Sequence, residues 1–173
     1  MKKIILAASL FIAIAIGCKT NTGDSKKLNI VFEPKSNSTV SGTATFVEKN
    51  GKVTFVATLA GLKPGIHAIH IHEKSDCTAA DGSSAGGHWN PTFKKHGKWG
   101  EGEYHKGDIG NFTADENGNG TITLTTNEWC IGCGDPTKDV LGKGLIVHQG
   151  ADDFVTQPTG NSGARVACSA IIK

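Results

Sequence analysis

The stretch His67-Ala68-Ile69-His70-Ile71-His72-Glu73 leaves this chain few ways to fold. Successive side chains of a β-strand point to opposite faces. As a strand, it puts His70 and His72 on one face and Ile69 and Ile71 on the other. The aliphatic face demands a core behind it. The imidazole face is half of a metal site, since imidazole suits copper, zinc and nickel. Alone, such a pair more often marks polar surface, and the remaining histidines change that balance. His67 has the isoleucines' parity, so it reads as a buried, hydrogen-bonded core histidine.

The rest of the chain repeats the β signal. Short runs rich in Val, Ile and Thr fall at 28–33, 39–49, 52–59, 107–113, 121–126, 145–148 and 166–172. Asn50-Gly51 joins two of these runs, and an Asn-Gly pair there predicts a tight hairpin. Two connections are long, 74–106 and 149–164, and both are rich in Gly, Ser, Asn or Pro. Structureless segments of that length in a small domain are usually functional. These features predict an all-β domain, an eight-stranded Greek-key β-barrel or sandwich with two long functional loops.

Residues 1–17 read as an export signal: Lys2 and Lys3, an apolar run too short to span a bilayer, then small residues before Cys18. That ending resembles a bacterial lipoprotein cleavage site, with Cys18 as the lipidated N-terminus. Residues 18–27 are polar and read as a flexible tether, leaving 28–173 as one domain. The expectation is an exported protein, periplasmic or an outer-membrane or cell-surface lipoprotein in a bacterium, touching membrane only through Cys18. The sequence pI of 8.3 does not imply a nucleic-acid partner. Lys2 and Lys3 belong to the leader, so of 18 basic residues 16 remain against 16 acidic ones. No Lys/Arg cluster with interleaved aromatics occurs.

Seven histidines are present. Besides His67, His70 and His72 they are His88, in Gly86-Gly87-His88-Trp89-Asn90-Pro91, His96, His105, in His105-Lys106-Gly107-Asp108-Ile109-Gly110-Asn111, and His148. Six histidines and Asp108 on strand ends and loops already favour metal over incidental placement. With His70-Ile71-His72-Glu73, with Asp152 after His148, and with Gly160-Asn161-Ser162-Gly163-Ala164-Arg165-Val166-Ala167-Cys168, the order of fragments resembles copper/zinc superoxide dismutases of the bacterial exported kind.

That resemblance implies one copper per chain on His70, His72, His88 and His148. It implies one zinc on His88, His96, His105 and Asp108, with His88 common to both. Asp152 would hold the outer nitrogens of His70 and His96. Arg165 would attract and orient superoxide, which His88 helps convert to O2 and H2O2. It pairs Cys77 with Cys168 in a disulfide. Cys130-Ile131-Gly132-Cys133 departs from the family pattern and reads as a local disulfide; a Cu(I) docking site or a redox pair are the other readings. The 149–164 loop has no Lys or Arg, so anion steering would fall to the metals and Arg165, with Lys138 or Lys143 as helpers. The competing function is an exported copper-binding protein that stores or delivers the metal without turnover. The sequence leaves monomer and homodimer both open.

Overall fold

The computed structural model describes residues 25–173. The leader and Cys18 lie outside the described residues. Eight strands form: β1 (Lys26–Pro34), β2 (Ser41–Lys49), β3 (Lys52–Ala60), β4 (Gly65–His72), β5 (Gly110–Ala114), β6 (Gly120–Thr126), β7 (Lys143–His148) and β8 (Arg165–Ile171). They close into an antiparallel barrel in the order β1-β2-β3-β6-β5-β4-β7-β8. The β3–β6 and β4–β7 neighbours are not consecutive in sequence, which makes the topology Greek-key.

The predicted hairpin forms with Lys49 opposite Lys52. Asn50 and Gly51 both take positive φ, as a two-residue turn of this hand requires. β1 begins at Lys26, two residues before the run of apolar alternation, because its early residues pair with the end of β2. β5 begins at Gly110, later than the 107–113 run predicts. Gly107 is spent instead on a bond to Ile71 of β4. A third long connection, 127–142, carries Trp129, which is buried against Phe46 and Phe55.

The two sides of the barrel differ in cover. On β1 and β3 buried and less buried residues alternate, so the outer face meets solvent. On β4 and β7 both faces are buried. Ile69, Ile71, Leu145 and Val147 fill the barrel interior. Their outward neighbours His70, His72, Ile146 and His148 are covered by the 73–109 and 149–164 loops. The cover includes a small second cluster, Ala85 and half-buried Cys77 on Ile146 and Cys168. The disulfide Cys77–Cys168, with Cα atoms 5.8 Å apart, ties that loop to β8.

Candidate metal centre

The first loop folds back along β4. Glu73 N–H donates to Gly87 O and Trp89 N–H to Ile71 O, which sets His88 beside His72 in an isolated β-bridge. Glu73 Oε2 accepts the Gly87 N–H, 3.1 Å away, and steadies the bend. His70 lies opposite Ile146 in the β4–β7 ladder, and His148 ends β7 where the register shifts. His70, His72, His88 and His148 thus converge, with ring centroids of His70 and His88 only 4.1 Å apart. One ligating atom from each lies within 4.8 Å of the others.

His96, His105 and Asp108 come from the far part of the same loop and meet His88 within the same distance limit. Asp108 Oδ1 stands 2.8 Å from His88 Nδ1 and 3.3 Å from His105 Nδ1; Oδ2 stands 3.0 Å from His96 Nδ1. Oδ2 also accepts the backbone N–H groups of Gly97 and His105. All seven side chains are buried.

Five of the six rings are held from behind. His72 Nδ1 bonds Gly86 O at 2.9 Å, His148 Nδ1 bonds Gly163 O at 3.3 Å, and His105 Nε2 bonds Lys94 O at 3.1 Å. Asp152 spans the two groups, with Oδ2 2.8 Å from His70 Nε2 and Oδ1 2.9 Å from His96 Nε2. The opposite nitrogens are therefore aimed inward: among the described residues His70 Nδ1, His72 Nε2, His88 Nε2 and His148 Nε2 meet no hydrogen-bond partner, and His96 Nδ1 and His105 Nδ1 meet only Asp108. A buried polar atom left unpaired costs about 1–3 kcal/mol. With Asp108 these six inward nitrogens make two donor sets that share His88. Four imidazoles suit copper, and three imidazoles with one carboxylate suit a closed zinc site. The residues present fit both groups.

The electrostatics divide at His88. Burial, then the charges of neighbouring histidines, push His72 and His148 well below the ordinary imidazole value. Burial lowers His88 to about 4 against the pull of Asp108. Burial also opposes protonation of His96, but Asp108 and Asp152 outweigh it and raise its pKa to about 9. Asp108 is held well below the carboxylate range: burial opposes this, and hydrogen bonds from His105, His88 and His96 overcome it.

Arg165 lies opposite His148 at the start of β8. Its Nη1 donates to Gly82 O at 2.7 Å and its Nη2 to Gly86 O at 2.8 Å. The Gly86 carbonyl is the same acceptor that His72 uses, so the guanidinium is anchored one bond away from a member of the all-imidazole group. His67 faces the other way: its two nitrogens meet His148 O and Lys63 O beneath the site. Lys143 Nζ lies 5.6 Å from the Trp89 ring centroid, so that cation is committed to an aromatic face. Cys130 and Cys133 form a disulfide. An Asp139 oxygen lies within 4.8 Å of both sulfurs, but the carboxylate accepts the N–H groups of Gly132, Gly134 and Leu141. It caps that loop. Sequence reasoning named Gly86 and Glu73 only as members of motifs and passed over Asp139; their roles are backbone and loop contacts that carry no spacing signature.

Comparison with known proteins agrees with this geometry. Residues 40–171 match the family model described as copper/zinc superoxide dismutase. The chain is also 34% identical, over 142 residues, to a rat (Rattus norvegicus) protein named copper chaperone for superoxide dismutase. The match covers 78% of this chain and 49% of that relative, so the chain spans about half the length of the curated relative it matches.

Proposed function

Because the chain belongs to the copper/zinc superoxide dismutase family, we propose that it disproportionates superoxide: two superoxide anions and two protons become O2 and H2O2. The observation that carries this reading is the pair of complete donor groups joined at His88, with Arg165 anchored beside the all-imidazole one. His70, His72, His88 and His148 would hold copper, and His88, His96, His105 and Asp108 would hold zinc. Bound copper supplies a one-electron couple, and bound zinc a fixed positive charge on the far side of His88. The remaining work belongs to the chain. Arg165, half-buried and held by two carbonyls, presents a guanidinium that orients a small anion without reorganising. His88 Nε2, which has no other partner, holds the proton delivered to the reduced oxygen species. Its Nδ1, fixed toward Asp108, keeps the ring in place while it does so. Gly86 O, Gly163 O and Asp152 fix which nitrogens of His72, His148 and His70 face inward.

The second reading is copper delivery or storage without turnover. It is favoured by the name of the rat relative. A carrier has little need of a complete carboxylate-bearing group or an anchored anion-orienting arginine, and this chain has both. Stopped-flow superoxide decay with protein loaded with copper and zinc tests the choice. Catalytic decay supports the dismutase; a replete protein that leaves the uncatalysed rate unchanged rejects it and leaves delivery. The leader reading completes the proposal: export, cleavage before Cys18 and lipidation there. Mass spectrometry of the mature N-terminus tests it, and an unmodified Cys18 rejects it.

A further inference from the structure

His96 is a donor whose backbone no strand holds, as are His105 and Asp108. His70, His72 and His148 sit in ladder strands, and His88 forms a β-bridge. His96 lies in a stretch with no regular secondary structure. Both its backbone groups are nevertheless bonded, and both go to one side chain. Its N–H donates to Gln157 Oε1 at 2.9 Å, and its C=O accepts from Gln157 Nε2 at 2.9 Å. The primary amide thus reads the backbone of His96 as a neighbouring strand would.

The same 149–164 loop supplies the ring's partner. Asp152 Oδ1 meets His96 Nε2 five residues upstream of Gln157. The intervening turn is closed by its own bonds: Asp153 accepts the N–H groups of Val155 and Thr156, and Gly160 N–H donates to Thr156 O. Gly160 then passes directly over the pair. A Cβ there would come within 1.8 Å of Asp152 Oδ1 and 2.6 Å of His96 Nε2, so only glycine lets the loop close on this donor. Gln157 also borders a depression of about 480 Å³ in which His88 and His105 are reached from outside.

We propose that Gln157 is a positioning residue for the carboxylate-bearing metal group: it fixes the backbone of His96 while Asp152 fixes the ring, so that Nδ1 faces Asp108. The second long loop is then a holder of one metal ligand as well as a cover on the barrel. The inference rests on the reading of His88, His96, His105 and Asp108 as a zinc site. Outer partners of metal ligands typically contribute about 10–100-fold to affinity. Gln157 is exposed, so its replacement leaves the barrel core untouched.

The test uses full-chain, metal-depleted protein titrated with Zn²⁺ against a chromophoric chelator, and in parallel with Co²⁺ to read the visible d–d bands. Gln157→Met keeps the length of the side chain and removes its two hydrogen bonds to His96, together with a third to Val155 O. The expected result is zinc affinity at least 10-fold weaker and altered Co²⁺ bands, with a urea midpoint of the metal-free protein close to wild type. Val155→Ala, an exposed neighbour in the same loop, should match wild type throughout. Wild-type affinity and spectrum in Gln157→Met overturn the inference and leave the zinc reading standing. An equal loss in Val155→Ala, or a collapse of metal-free stability in Gln157→Met, also overturns it, because the effect is then general to the loop or the fold. Failure of the wild-type group to take either cation overturns the zinc reading itself.

Discussion

On one side of His88 stand three imidazoles whose inward nitrogens face only one another; on the other stand two imidazoles gathered around Asp108. The two sides use the same residue type at similar depth, yet their proton affinities diverge. Without a carboxylate beside their inward atoms, His72 and His148 are driven toward neutral imidazole by burial and the neighbouring histidines. With Asp108 and Asp152 in contact, His96 is driven the other way. Neutral nitrogens are ready for a redox-active cation without first losing protons. The lesson is that one acid, placed or withheld, assigns different work to adjacent histidine clusters.

The hardest blow to this division is His88→Ala, which removes the common member. Both metals should be lost or weakened, with dismutation falling to background, whereas His105→Ala should lose chiefly zinc. Elemental analysis and activity of the two variants check this, and a His88→Ala protein that retains both metals breaks the shared-ligand picture. Next in size is Arg165→Glu. Loss of an anion-orienting charge and its replacement by a repelling one should slow dismutation roughly 10–10³-fold, with copper content unchanged. A rate within twofold of wild type would show that the all-imidazole side needs no guide.

Breaking Cys77–Cys168 sharpens the comparison, because the loop it anchors carries the Gly82 and Gly86 carbonyls that hold Arg165 and His72. The residues are 91 apart in sequence. Replacing both by Ser should cost about 4–5 kcal/mol in the chain-entropy account and lower activity before it lowers zinc content. Replacing Cys130 and Cys133, only 3 apart, should cost about 2 kcal/mol at most. Denaturant unfolding of the two double variants measures the gap.

The smallest effect is on pH and belongs to the metal-free protein. The folded-state pKa of His88, about 4, lies below the unfolded value of about 6.5. Its contribution is therefore present above about pH 6.5 and lost as pH falls toward 4, and His72 and His148 share that sign. His96 is raised to about 9, so its contribution is complete below about 6.5 and lost as pH rises through 9. Metal-free stability should peak near pH 6.5. His96→Gln should remove the alkaline fall and keep the acidic one; urea midpoints across pH decide, and an alkaline fall that survives in His96→Gln breaks the electrostatic contrast.

Much of this was legible in the chain itself. The alternation of His70, Ile69, His72 and Ile71 specified which side chains enter the barrel and which face outward, because strand parity is a local property of the backbone. Asn50-Gly51 specified its hairpin for the same reason, since only a few residues tolerate positive φ. The family resemblance lay in short fragments whose order survives without knowledge of their contacts. Other features came only with the closed structure. That the outer face of β4 and β7 is as buried as the inner one depends on loops from distant parts of the chain lying over it. The bond of Arg165 and His72 to one Gly86 carbonyl, the capping role of Asp139, and the grip of Gln157 on His96 are long-range or backbone contacts. Residue type and spacing do not encode them, because a backbone carbonyl looks the same in every sequence. The proton affinities of His72, His88, His96 and His148 were beyond sequence too. They follow from burial and from distances to Asp108 and Asp152, which exist only once the loops have closed on the barrel.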